Sequence, residues 1–308
     1  MNRVSGPNSL QAAARRALPL LLCCGLGCAH FRGAAAGPAE PGLPAVIDVH
    51  THTTFGAGLD GGTGKPDTLD EFLRQRREAG IAASVSFNQW AGAPSADLSA
   101  HHVLHCAGVG DKIDPQALAR GLEDHRYGCI KIYLGYIRRY ASDPAYDPVY
   151  RLAARHKVPV VFHTGDTVDK SGLLKYADPL TIDEVAVANR DVNFVIAHLG
   201  NPWIESAAEV AYKNPNVYVE ASALLVGDLS RFPPEQVEEY MVKPIRWAFG
   251  YIEDPKKFMF GTDWPLNDMK AYLEAYKKAI PREHWKAVFR ENALRVFNIP
   301  REWADGPR

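Results

Sequence analysis

Eight short apolar runs, spaced along the chain with room for a crossover between each pair, constrain this fold more than any other feature. They are 45–50, Ile81–Phe87, Val103–Val109, Ile130–Leu134, Val158–Phe162, Phe194–Ala197, Val217–Val219 and Phe258–Phe260. Short runs bounded by turn residues and rich in β-branched side chains read as strands, and helical periodicity fills most of the gaps. The expected helices cover 115–123, 146–156, 182–189, 204–213, 234–248, 267–279 and 284–296. Another opens at Thr68, with Glu71 three residues on as a capping box, and stops at Gly80. The link 88–102 is the least helical part of the pattern. Strands alternating with helices pair in parallel, so the chain reads as α/β, and eight such units fit a (β/α)8 TIM barrel with a C-terminal helix. The rival is an open doubly wound sheet with a phosphate loop, and no GxxxxGK[ST] segment occurs.

The amino end stands apart from this alternation. Residues 1–27 contain Arg3, Arg15 and Arg16 and no acid, followed by an apolar run over 17–27. That run is too short to span a bilayer but suits the core of an export signal. Gly25-Leu26-Gly27-Cys28 resembles a lipoprotein processing box in which Cys28 becomes the lipidated first residue, with Leu21-Leu22-Cys23-Cys24 as a competing register. Arg15-Arg16 carries a faint likeness to a twin-arginine signal. The expected plan is a signal at 1–27, a tether at 28–44, a barrel at 45–300 and a tail at 301–308. The product would be exported, as a membrane-anchored lipoprotein or a periplasmic protein, and cytoplasmic if the leader is not a signal.

The whole chain has 35 Lys+Arg against 36 Asp+Glu, or −1, and loss of the three leader arginines leaves 32 against 36, or −4. Neither value provides the basic field that nucleic acid requires, so the expected partner is a small-molecule substrate, with a lipid anchor if Cys28 is processed. Cys106 and Cys129 remain in the body and could pair, although a domain of this size does not depend on it.

Chemistry is concentrated where these strands end. Side chains alternate along a strand, which sends Asp48, His50 and His52 one way and Val49 and Thr51 the other. His163 ends the fifth run, His198 follows the sixth and Asp263 follows the eighth. The carboxyl ends of a parallel barrel share one rim, so these residues converge. Imidazole and carboxylate together suit Zn²⁺, Mn²⁺ or Fe²⁺, whereas Ca²⁺ requires more oxygen.

Ile47-Asp48-Val49-His50-Thr51-His52, Phe162-His163-Thr164-Gly165, Ala197-His198-Leu199-Gly200 and Phe260-Gly261-Thr262-Asp263-Trp264-Pro265 resemble the amidohydrolase superfamily of metal-dependent barrels. The likeness is to the amidohydrolase-related branch that includes aminocarboxymuconate-semialdehyde decarboxylase-like enzymes. Arg290–Phe297 is similar to that branch's closing helix. The resemblance implies one divalent metal, Zn²⁺ ahead of Mn²⁺ or Fe²⁺, held by His50, His52, His163 and Asp263. It also implies that Asp263 acts as general base and His198 polarises substrate or water. Lys131 shares a strand face with Tyr133. Other branches carboxylate a fourth-strand lysine to bridge a second metal, and otherwise Lys131 pairs with a carboxylate or orients an anionic substrate.

Weaker candidates complete the reading. His101, His102 and His105 form a cluster in loop-like surroundings. Glu220 either faces the mouth or makes a structural hydrogen bond. Tyr133, Tyr136 and Arg138 could touch substrate, Trp264 reads as a packing residue, and Gly56–Gly64 reads as a lid or a long turn. Three functions remain: hydrolysis of an amide, lactone or ester; non-oxidative decarboxylation of a small acid; and ligand binding by a metal-free, silent barrel.

Overall fold

The computed structural model describes residues 42–56, 62–87 and 96–305. The expected export signal, Cys23, Cys24, Cys28, most of the expected tether, residues 57–61 of the Gly-rich segment, 88–95 of the weak link and 306–308 of the tail lie outside them. Eight strands pair in sequential order. They are β1 (Val46–Thr51), β2 (Ile81–Phe87), β3 (Val103–Val109), β4 (Cys129–Tyr133), β5 (Val160–His163), β6 (Phe194–Ile196), β7 (Val217–Glu220) and β8 (Phe258–Met259). All seven neighbouring pairs are parallel. Closure comes from the segment after β8: Val49 donates to the Phe260 carbonyl at 2.9 Å, Asp263 to that of His50 at 2.8 Å, and His52 to that of Trp264 at 2.7 Å. Sequential order and closure exclude the doubly wound sheet, although residues 56–61 spell GxGxxG.

Local chemistry explains the connecting elements. In the helix Leu69–Ala79, the Thr68 side chain accepts the Glu71 N–H and Gly80 closes the end at φ 68°. Asp114 caps Pro115–Glu123, and Asp268 caps Met269–Ala279. Most expected helices stand within two residues of their predicted limits. The 234–248 stretch instead runs through a π-helical segment, Glu238–Val242, and on to Ile252. The fifth strand begins at Val160 rather than Val158 and includes His163. Arg301–Asp305, expected to be part of the tail, is a short helix.

Two apolar layers result. Ile130, Phe162, Phe194, Ile196, Val219 and Phe258 face the surrounding helices, as outward strand residues must. Ile47, Val49, Val85, Cys129, Val161 and Val195 fill the interior together with Ala293, Val296 and Phe297 of the C-terminal segment. Asn292 ties that segment to the start of β8 by donating to the Pro255 and Phe258 carbonyls, each at 2.7 Å. The interior is therefore plugged at the end where strands begin, and the rim where they end is left for the polar residues. Cys106 and Cys129, register partners on β3 and β4, form a disulfide inside the barrel.

Candidate metal centre

A bulge in β1 sets the site. Asp48 pairs with Ser84 and Thr51 with Ser86, so β1 spends one residue more than β2 over this span. The simple alternation expected of β1 consequently fails at Asp48. Its carboxylate turns to Thr262, accepting the backbone N–H at 3.0 Å and the hydroxyl at 2.6 Å, and does not join the histidines. His50 and His52 still share a side. Their Nε2 atoms lie 3.5 and 3.1 Å from Asp263 Oδ1. Asp263 arrives from the closing segment with φ 63°, a left-handed conformation that Asp adopts more readily than most residues.

The ligand atoms of His50, His52 and Asp263 lie within 4.8 Å of one another, and all three residues are buried. His50 Nε2 and Asp263 Oδ1 have no hydrogen-bond partner, which is costly unless something else fills the space between them. The other nitrogen of each ring is fixed. His52 Nδ1 donates to the Phe87 carbonyl at 2.9 Å, and His50 Nδ1 donates to Glu220 Oε1 at 2.7 Å. Both Nε2 atoms therefore present lone pairs toward Asp263, the arrangement a divalent metal requires of histidine. The donor set fits such an ion.

His163 stands beside this trio rather than in it. Its Nδ1 lies 3.0 Å from His198 Nε2, and its Nε2 donates to the Asp166 carbonyl at 2.8 Å. Service as a fourth ligand would require it to give up His198. His198 follows β6 at φ 59°, and Leu199 and Gly200 continue the left-handed turn at 49° and 66°. This strained bend brings the His198 ring 4.6 Å from that of His50, centre to centre, and its Nδ1 to 4.0 Å from Asp263 Oδ2.

Electrostatics keep the donors ready. Burial, with Lys131 adding to it, pushes the His50 imidazole well below its ordinary range. Burial and His198 do the same to His163, and burial and His50 lower His198 to about 4. All three are neutral at pH 7. Burial opposes ionisation of Asp263, but His50, His52 and His198 outweigh it and hold the carboxyl well below the usual range. Asp48 goes the other way, raised by burial to about 7. Lys131 is fully buried, and desolvation lowers it to about 8 against the attraction of Glu220 and Asp263. Its Nζ sits 4.2 Å from the Phe87 ring centre and has no hydrogen-bond partner.

The remaining candidates separate clearly. Tyr133 and Tyr136 pack on His163 with ring centres 5.9 and 5.0 Å away, so both flank the rim. Arg138 is spent on the Ser171 carbonyl at 2.8 Å. Trp264 is buried against Phe72, as a packing residue should be. The histidine trio at 101–105 does not gather. His102 stacks on Trp303, and His105, far from loop-like, is a buried β3 residue whose Nε2 accepts the Leu98 N–H at 3.3 Å. Glu220 makes the structural hydrogen bond weighed for it, and to a candidate ligand. Ser222 had no sequence signal; its hydroxyl lies 2.9 Å from His198 Nδ1.

Comparisons with known proteins agree with the barrel fold. The family profile described as Amidohydrolase matches residues 47–299. No curated protein sequence matches the chain. An uncharacterised TIM-barrel protein from Bordetella bronchiseptica superposes with a TM-score of 0.63 at 17% identity, covering 82% of this chain and 98% of that one. A probable 2-pyrone-4,6-dicarboxylic acid hydrolase from Acinetobacter baumannii, with citric acid bound, gives 0.58 at 14% identity over 82% and 99%. The 5-carboxyvanillate decarboxylase of Sphingomonas paucimobilis gives 0.58 at 14% over 84% and 100%. At such identities the likeness establishes the barrel alone.

Proposed function

The chain belongs to the amidohydrolase family, and from that premise we propose that it is a metal-dependent hydrolase of a small organic amide, lactone or ester. One observation carries the reading: two histidine Nε2 atoms and one carboxylate oxygen converge in a buried pocket, each ring locked from behind by a hydrogen bond. His50, His52 and Asp263 would hold the ion, with His163 as a fourth ligand. Zn²⁺ suits that set, ahead of Mn²⁺ or Fe²⁺. When bound, the metal lowers the pKa of water toward neutrality and supplies Lewis acidity.

The chain's own groups do the rest. Asp263, kept ionised, takes the proton of the attacking water and passes it to the leaving group. Neutral His198 offers its Nε2–H to the substrate carbonyl oxygen, exchanging His163 for the charge that develops there. The lysine amine of Lys131 serves as a buried electrostatic element facing Asp263 and Glu220, and a second metal enters only if it is carboxylated. Asp263→Asn should lower turnover about 100- to 10,000-fold. Full turnover in a metal-loaded Asp263→Asn protein would refute the assignment.

Decarboxylation is the competing reaction, because a decarboxylase superposes as well as a hydrolase does. A panel of lactones, amides and carboxylic acids, followed for both acid release and CO2, separates the two. Acid release without CO2 supports hydrolysis, and CO2 from a carboxylic acid replaces it. For the leader, export with a lipidated Cys28 remains our proposal. Metabolic labelling with a fatty acid, abolished in Cys28→Ser, tests it.

A further inference from the structure

We propose that Glu220 is a positioning residue whose single carboxylate fixes both the His50 ring and the turn that presents His198. This rests on reading His50, His52 and Asp263 as the metal group. Glu220 ends β7 and is 1% exposed. Its Oε1 accepts His50 Nδ1–H at 2.7 Å and the His198 backbone N–H at 3.0 Å, and the Ser222 hydroxyl lies 3.1 Å away. Oε2 accepts the Ser222 N–H at 2.7 Å.

Those bonds decide between two roles. Glu220, His50 and His198 also bring ligand atoms within 4.8 Å, so Glu220 could itself be a ligand. Three N–H donors already occupy its lone pairs, whereas His50 Nε2 and Asp263 Oδ1 have no partner. The slot is also too narrow for the carboxylate to swing out. A Cβ on Gly261 would meet Glu220 Oε2 at 2.7 Å and His50 Cβ at 2.9 Å, so the closing backbone presses directly on the pair and only glycine permits it. The consequences reach both partners. The bond to Nδ1 keeps the His50 proton there and the lone pair on Nε2. The bond to the His198 N–H pins the first residue of the left-handed turn, and Ser222 carries the same carboxylate's influence to the His198 ring.

Three variants of the full chain test this: Glu220→Gln, Ser222→Ala and Gly261→Ala. Two readouts are used, the His50 tautomer by nitrogen-15 NMR of metal-free protein and Co²⁺ binding followed by absorption. Glu220→Gln should move His50 away from the pure Nδ1–H form and weaken Co²⁺ binding about 10- to 100-fold, with an unchanged spectrum at saturation. Gly261→Ala, which displaces the carboxylate without removing it, should act in the same direction. Ser222→Ala should leave the His50 tautomer as it is and Co²⁺ affinity within about twofold, because the His50 bond survives. An unchanged tautomer and affinity in Glu220→Gln overturns the proposal. So does an altered saturated spectrum, which would make Glu220 a ligand. Should the parent protein bind no Co²⁺ yet show the tautomer shift, positioning stands and the metal reading falls.

Discussion

His50 and His52 each have one nitrogen held by the protein and one left for a ligand. His52 is held by a backbone carbonyl and His50 by a buried carboxylate, so neither ring can turn without losing a hydrogen bond. Lys131 shows the reverse economy, a buried amine with nothing to donate to. Its pKa falls from 10.5 to about 8, so the unfolded chain binds more protons between those values and stability rises with pH across that window. Below about pH 8 the full penalty applies, on the order of 3 kcal/mol. In metal-stripped protein, Lys131→Met should therefore raise stability at pH 7 and remove the rise between pH 8 and 10.5, as read from denaturant unfolding at several pH values. An unchanged pH profile would mean that the amine is not desolvated. At this scale the sequence was legible for His50, His52 and Asp263, because ligand-type residues at strand ends are a chemical signal. It was misleading for Asp48, since one extra residue in β1 breaks the alternation on which that expectation rested. His163 is at the rim as expected, but partnership with His198 is a tertiary matter that no spacing encodes.

Elements carried more of their signal locally. Thr68 and Gly80 delimit their helix as the sequence implies, because a cap and a left-handed stop act within a few residues. Thr68→Ala should cost about 1 kcal/mol in denaturant unfolding while leaving metal content intact. A loss of metal with it would mean that the helix steers the site, contrary to this account. β8 shows where local reading ends. Only Phe258–Met259 form ladder pairs with β7, and the residues that matter, Phe260 to Trp264, are held by hydrogen bonds to β1 from the far end of the chain. Gly261 is the same case: its need for a missing side chain comes from Glu220 and His50 pressing on it.

At the largest scale, the described residues form a barrel plugged at one end by the C-terminal segment and polar at the other. The alternation of eight runs was enough to foresee the barrel, though not the plug, since parallel strands with crossover helices have few ways to close. What the runs left open was whether Cys106 and Cys129 pair, which depends on the register of β3 against β4. The bond closes a span of 23 residues, so replacing both cysteines by alanine should lower unfolding free energy by about 2 to 4 kcal/mol. An unchanged midpoint under reducing and oxidising conditions would show the thiols to be unpaired. A disulfide of this kind accords with the export proposed for the leader, because such bonds persist in oxidising compartments. The central claim concerns the other end of the barrel, and elemental analysis tests it most directly. Purified protein from metal-replete cells should contain about one equivalent of divalent metal, and a His50→Ala/His52→Ala variant essentially none. Less than about 0.2 equivalents in the parent protein, or full loading in the variant, would contradict it.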